Sequence, residues 1–171
     1  KNTAPAIALL CHILNGRGLA DEVVGVFPSD HMVGQEAAFL RAVRVAEEVA
    51  RKGFVATLGI LPHSPDTGYG YIEVTDQVVF SEGDLRAIRV AGFREKPDVE
   101  TAKRYLESGR YFWNAGMFVF QVRTMIEQFK KFQPAMWGKI SSIEPDMKNA
   151  KYLYAMVESI SLDYAIMEKL E

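Results

Sequence analysis

With 171 residues, 49% of them hydrophobic and 25% charged, the chain fits one domain that can bury a substantial core. A net charge of −2, from 20 basic and 22 acidic residues interspersed along the chain, excludes the basic footprint of a nucleic-acid binder or of a protein held on an anionic membrane. No apolar run approaches the roughly 20 residues that cross a bilayer, Lys1-Asn-Thr-Ala-Pro5 reads as a helix start and not as a signal peptide, and a single cysteine forbids an internal disulfide. The expectation is a cytoplasmic protein with no nucleic-acid and no membrane partner.

Asn2 or Thr3 can cap a first helix with Pro5 in its opening turn. Ile7, Leu10, Cys11 and Leu14 follow at helical spacing on a buried face, and Asn15-Gly-Arg-Gly18 breaks the helix. No strand precedes that glycine pair, so it is a loop and not a dinucleotide fingerprint. Opening on a helix and closing inside a helical pattern at Glu168-Lys-Leu-Glu171, the chain reads as an internal segment of a longer protein, incomplete at both ends.

The run Val23, Val24, Val26, Phe27 stops at Pro28 and predicts a strand buried on both faces, as in a parallel sheet. Ser29, Asp30 and His31 follow it, where an open α/β sheet binds ligands. A polar turn with Asp30 capping the next helix is the alternative. Residues 35–52 carry Phe39, Val43, Ala46 and Val49 on one face, and Phe54 to Ile60 forms the next strand. Strand, helix, strand predicts a right-handed βαβ crossover and an α/β fold with a mainly parallel sheet flanked by helices.

Beyond a proline-rich loop, Gly68-Tyr-Gly-Tyr-Ile-Glu-Val74 interleaves two glycines with two tyrosines at a strand entrance or bulge, where backbone can approach a ligand closely. Residues 77–80 and 85–93 are further strands joined by a turn at 81–84, and the second ends in Arg94-Glu-Lys-Pro97. Asp98 caps a helix over 99–108 that Gly109 closes. Residues 117–122 form a buried strand with Asn114 at its entrance. Helices follow over 123–132, 134–143 and 151–157, and Ser161 or Ser159 caps a last one from Leu162, with Asp163 in its first turn.

His12, His31 and His63 show no zinc spacing, and adjacent Ser29, Asp30 and His31 point in different directions, which argues against a hydrolytic triad. One strand-end carboxylate, the glycine–tyrosine stretch, Glu95-Lys96 and Asn114 together suit a polyhydroxylated, phosphorylated ligand. Asp30 is the kind of oxygen ligand Mg²⁺ takes when water and phosphate supply most of its shell.

Six blocks occur in one order: Asn2-Thr-Ala-Pro-Ala-Ile-Ala8, Phe27-Pro-Ser-Asp-His31, Thr67-Gly-Tyr-Gly-Tyr-Ile72, Arg94-Glu-Lys-Pro97, Trp113-Asn-Ala-Gly-Met-Phe118 and Ser161-Leu-Asp-Tyr-Ala-Ile-Met-Glu-Lys169. The series resembles the mannose-1-phosphate guanylyltransferases (GDP-mannose pyrophosphorylases) among the nucleotide-sugar pyrophosphorylases, over essentially the whole chain. The resemblance implies a mixed, Rossmann-like nucleotide-diphospho-sugar transferase fold in a single nucleotidyltransferase domain over 1–171. It implies an enzyme converting GTP and mannose 1-phosphate to GDP-mannose and pyrophosphate with Mg²⁺, and it is compatible with a homodimer. Asp30 looks like the metal-binding and catalytic aspartate, with Lys96 as a second catalytic residue. Asn2, Thr3, Ala4 and Ser29 look like nucleotide-binding positions, with the first three beside the guanine. Gly70, Glu95, Lys96 and Asn114 look like the grip on mannose 1-phosphate. The family's glycine-rich phosphate loop and its second metal aspartate have no counterpart in these residues, so the segment alone is expected to be inactive. The rivals are a related pyrophosphorylase using another sugar phosphate or nucleotide, such as glucose 1-phosphate with UTP or dTTP, and a catalytically inactive sugar-nucleotide-binding module.

Overall fold

The computed structural model describes residues 1–94 and 96–170. These form two compact units, one of residues 1–22 with 121–170, the other of residues 23–120.

The first unit is helical. Helix α1 (Thr3–Gly16) starts where Asn2 turns extended and its side-chain oxygen accepts the Thr3 N–H at 2.8 Å. It buries Ala4, Ile7, Ala8 and Cys11 along one face. Helix α4 (Val122–Phe132) buries Val122, Met125, Ile126 and Phe129 at three- and four-residue steps. Helix α5 (Pro134–Ser141) begins with Pro134, whose missing N–H costs nothing in a first turn. Helix α1 packs on α4, on α5 and on α7 (Leu162–Ala165), while α6 (Ala150–Ala155) lies against α5. Where a single last helix is expected, α7 breaks at Ile166 and passes into a 3₁₀ turn, Met167–Lys169. Ala165, Ile166 and Met167 are all buried, and one straight helix cannot turn three consecutive residues to the same side. Of the two candidate caps for α7, Ser161 is the one used; its hydroxyl accepts the Tyr164 N–H.

The second unit is a sheet covered by helices. Its strands are β1 (Val23–Val26), β2 (Ala56–Ile60), β3 (Tyr71–Glu82), β4 (Leu85–Arg94) and β5 (Tyr111–Gln121), the last residue of which belongs to the first unit. The order is β1-β5-β3-β4, and β2 pairs with β5 as well. β1, β2 and β3 therefore all depend on β5. Helix α2 (Glu36–Arg51) packs Ala46 and Ala50 on Val119 of β5, with Val23, Ala56 and Leu58 around them. Helix α3 (Val99–Ser108) is held by the Asp98 side chain, which accepts the Thr101 N–H at 2.8 Å, and it ends at Gly109 in the left-handed region at φ 66°. Its Ala102 packs with Tyr71, Trp113, Tyr105 and Tyr111, and the last two stack at 3.8 Å.

The α/β class holds, but a mainly parallel sheet is not what the described registers show: β2 with β5, β3 with β4 and β3 with β5 are all antiparallel. Strand–helix–strand logic misses this because the strand beside β2 and β3 is β5, contributed from much later in the chain. β1 is half-buried, not buried on both faces. The strands expected at 68–74 and 77–80 are one strand with an irregularity, where the Thr75 hydroxyl accepts the Gln77 N–H and donates to the Arg89 carbonyl. Asn114 lies inside β5, and Val122 opens α4 instead of closing the strand.

Two outcomes follow from these environments. The Thr101 backbone bond, above all, lowers the Asp98 pKa below its usual 3.8. Asp98→Ala should lower the urea midpoint at neutral pH, and the gap from the parent protein should close as pH falls below 3.8, when the carboxylate protonates. Burial pushes the Cys11 thiol up to about 12 from 9.0. Between those values the folded chain binds the proton that the unfolded chain releases, so stability should fall as pH rises from 9.0. At neutral pH a disulfide reagent should modify Cys11 only after unfolding, followed by absorbance against urea.

Candidate active site

The site assembles around a fault in β5. Between Thr57 and Gly59, β2 advances two residues while its partner on β5 moves from Phe118 to Asn114. The surplus residues bulge, and the chain turns at Gly116 with φ 64°, a conformation that costs a residue with a Cβ about 1–2 kcal/mol. Asn114 holds the bulge itself, because its Oδ1 accepts the Gly116 N–H at 3.0 Å and a longer bond from the Thr57 hydroxyl at 3.4 Å. These donors fix which end of the carboxamide is oxygen and turn its nitrogen away from the bulge. The Asn114 N–H in turn donates to the Gly70 carbonyl at 2.8 Å.

The end of β1 reaches the same bulge, since a Cβ on Gly116 would stand 3.8 Å from Pro28 Cγ. Beyond Pro28, residues 29–37 are exposed, Ser29 and Asp30 among them. Helix α2 begins only at Glu36 and has no side-chain cap, so Asp30 does not cap it. Asp30 thus presents its carboxylate to solvent just past a strand end. No cluster of three metal-binding side chains occurs among the described residues.

Lys96 follows the end of β4 at φ 41°, a left-handed conformation unusual for lysine and taken immediately before Pro97. The chain therefore turns here, as two neighbouring residues must if both are to face one ligand. Glu95 itself lies outside the described residues.

Aromatic rings frame the Gly70 side. Tyr69 and His63 both lean on Trp113, at 5.0 Å and 4.8 Å between ring centres. The Tyr71 hydroxyl donates to the Asp66 carbonyl, and the Asp66 carboxylate accepts the Gly68 N–H, which pins the loop that carries Tyr69. Trp113 Nε1 is buried without a hydrogen-bond partner. The structure thus brings together Asn114, Gly70 and the strand end before Ser29 and Asp30. It adds Thr57, Gly116, Trp113 and His63, which sequence reasoning did not select; the positive φ of Gly116 follows from a register that no local pattern reveals.

In the other unit, Asn2, Thr3 and Ala4 form the start of α1, with Asn2 and Thr3 exposed and Ala4 buried. No helix among the described residues is long and apolar enough to cross a membrane.

A family model described as nucleotidyl transferase matches residues 1–159. The xanthan biosynthesis protein XanB of Xanthomonas campestris pv. campestris (strain B100) is 41% identical over 99% of this chain and 36% of its own length. The mannose-1-phosphate guanylyltransferase of Escherichia coli K12 is 39% identical over 99% of this chain and 37% of its own. The crystal structure of a mannose-1-phosphate geranyltransferase from Thermus thermophilus superposes with a TM-score of 0.87 at 35% identity, covering 100% of this chain and 48% of that one. That of a mannose-6-phosphate isomerase from Helicobacter pylori gives a TM-score of 0.80 at 28% identity, covering 100% of this chain and 66% of that one. The chain spans a little over a third of the curated relatives it matches. With most of its length matched by the family model, and with the same fold in its structural neighbours, the chain belongs to the nucleotidyl transferase family.

Proposed function

We propose that these residues are part of a single nucleotidyltransferase domain that makes GDP-mannose and pyrophosphate from GTP and mannose 1-phosphate. The observation that carries the reading is Asn114: its carboxamide is fixed by its own bulge, and its N–H ties that bulge to Gly70. A rigid amide beside glycine backbone suits the vicinal hydroxyls of a hexose. The relatives named as mannose-1-phosphate guanylyltransferases, and those named for xanthan and alginate biosynthesis, support GDP-mannose as the product and polysaccharide synthesis as its use.

In this reading Gly70, Glu95 and Asn114 hold the mannosyl group, and Lys96 places a point charge on its phosphate. Asn2, Thr3 and Ala4 flank the guanine, and Ser29 meets the nucleotide near the end of β1. An oxygen of mannose 1-phosphate attacks the α-phosphorus of GTP, the bond to the β-phosphate breaks, and pyrophosphate leaves with that electron pair. The protein's part is to align the two phosphates and to stabilise charge. A lone exposed carboxylate at Asp30 fits Mg²⁺, which takes one or two carboxylates and fills its shell with water and phosphate. Bound there, Mg²⁺ supplies neutralisation of the phosphate oxygens. A cytoplasmic enzyme, acting as a homodimer, completes the proposal.

Asp30→Asn in the full-length protein should cut Mg²⁺-dependent turnover by about 100- to 1,000-fold, as expected when a preorganised electrostatic group is lost. The exposure of Asp30 means that its circular dichroism and melting point should stay those of the parent. Near-parental turnover would overturn the assignment. Lys96→Ala should raise the KM for mannose 1-phosphate more than that for GTP, and equal rises would count against its place on the sugar phosphate. Faster turnover of glucose 1-phosphate with UTP or dTTP, nucleotide-sugar binding without turnover, or isomerisation of mannose 6-phosphate would each replace this reading with a rival.

A further inference from the structure

The block Ser161-Leu-Asp-Tyr-Ala-Ile-Met-Glu-Lys169 and the residues just before it are not used by the chemistry above. In the helical unit they meet the start of α1. The Asn2 N–H donates to Ser159 Oγ at 3.2 Å, the Ala4 N–H to the Ile160 carbonyl at 3.2 Å, and the Leu162 N–H to Thr3 Oγ1 at 2.8 Å. Lys1 Nζ reaches the carbonyls of Ala155 and Val157. The Thr3 N–H is taken by Asn2 Oδ1, and Pro5 has no N–H to give.

The first backbone donors of a helix are ordinarily open and attract anions. At α1 the opening donors are spent on protein acceptors, so this helix start is not a phosphate cradle. What it displays is the exposed Asn2 carboxamide. Its oxygen is turned inward to Thr3, which leaves the amide nitrogen to face outward with its two hydrogens. Such a donor suits an acceptor on the edge of a purine base, like O6 of guanine. Its aim depends on the backbone of Asn2, and the long-range bond that holds that backbone at its own N–H is the one to Ser159.

We infer that Ser159 is a positioning residue for the nucleotide base: through its hydroxyl it fixes the Asn2 backbone, and with the Ile160 carbonyl and the Leu162 N–H it locks the segment Asn2–Ala4 in its base-reading pose. The inference rests on the proposed placement of that segment beside guanine. Ser159 touches no substrate and acts through Asn2.

Ser159→Ala in the full-length protein should raise the KM for GTP about 3- to 10-fold, the worth of one hydrogen bond, while kcat and the KM for mannose 1-phosphate stay unchanged. Ser159→Thr keeps the hydroxyl and should restore the parental KM. Because Ser159 is exposed, the melting point should stay within about one degree of the parent. A purely structural bond would instead lower the melting point and move both KM values together; that result, or an unmoved KM for GTP, overturns the inference. Asn2→Ala separates the two layers of the argument. If it raises the KM for GTP and Ser159→Ala does not, the positioning role falls and the base-side reading stands. If Asn2→Ala leaves the KM for GTP alone, both fall.

Discussion

The constraint on which the sheet unit depends is that β5 must serve partners along both of its edges. Residues 117–120 are buried, Val119 among them against Ala46 and Ala50 of α2 with Val23, Ala56 and Leu58 around it, and Tyr111 to Trp113 continue the same strand into β3. A strand so fully paired cannot absorb extra residues at an edge, so it takes them up internally. The internal bulge lies just beyond Asn114, which still pairs with Gly59, and it gives that residue a fixed carboxamide. Glycine at 116 is then a requirement of the backbone, and the position of the candidate sugar site follows from how β5 is paired.

The helical unit solves a different problem with the same economy of donors. Two helix starts, α1 and α7, lie together, and each has backbone N–H groups with no partner inside its own helix. They satisfy one another: Asn2 caps α1, Ser161 caps α7, and Thr3 accepts the Leu162 N–H across the junction. Near the other end of α1, His12 Nε2 bonds the Ile143 carbonyl at 2.8 Å. Cys11 is buried on the same helix as a small apolar group, consistent with a thiol kept protonated.

Local chemistry was legible in the sequence. Asn2, Asp98 and Ser161 cap where short polar side chains precede apolar periodicity, Gly109 closes α3, and Asp30 stands beyond a strand stopped by Pro28. Long-range pairing was not. A strand–helix–strand pattern says nothing about a later strand joining the sheet, so the antiparallel registers with β5 were missed, and with them the place of Asn114 inside a strand. Thr57 looks like an ordinary strand threonine, and only the register sets its hydroxyl near Asn114. The junction of residues 2–4 with 159–162 is likewise invisible to any window of the sequence, because its partners are more than 150 residues apart.

The chain's two tryptophans fall one to each unit, and this gives the molecule two separate optical reporters. Trp113 is buried in the sheet unit, flanked by the His63 and Tyr69 rings, with its indole N–H unpaired. Trp137, half-buried in the helical unit, meets His12 edge-on and Phe129 nearly face-on. Replacing one tryptophan by phenylalanine leaves a chain whose emission follows a single unit, and comparing the two versions tells whether the units melt together or in turn.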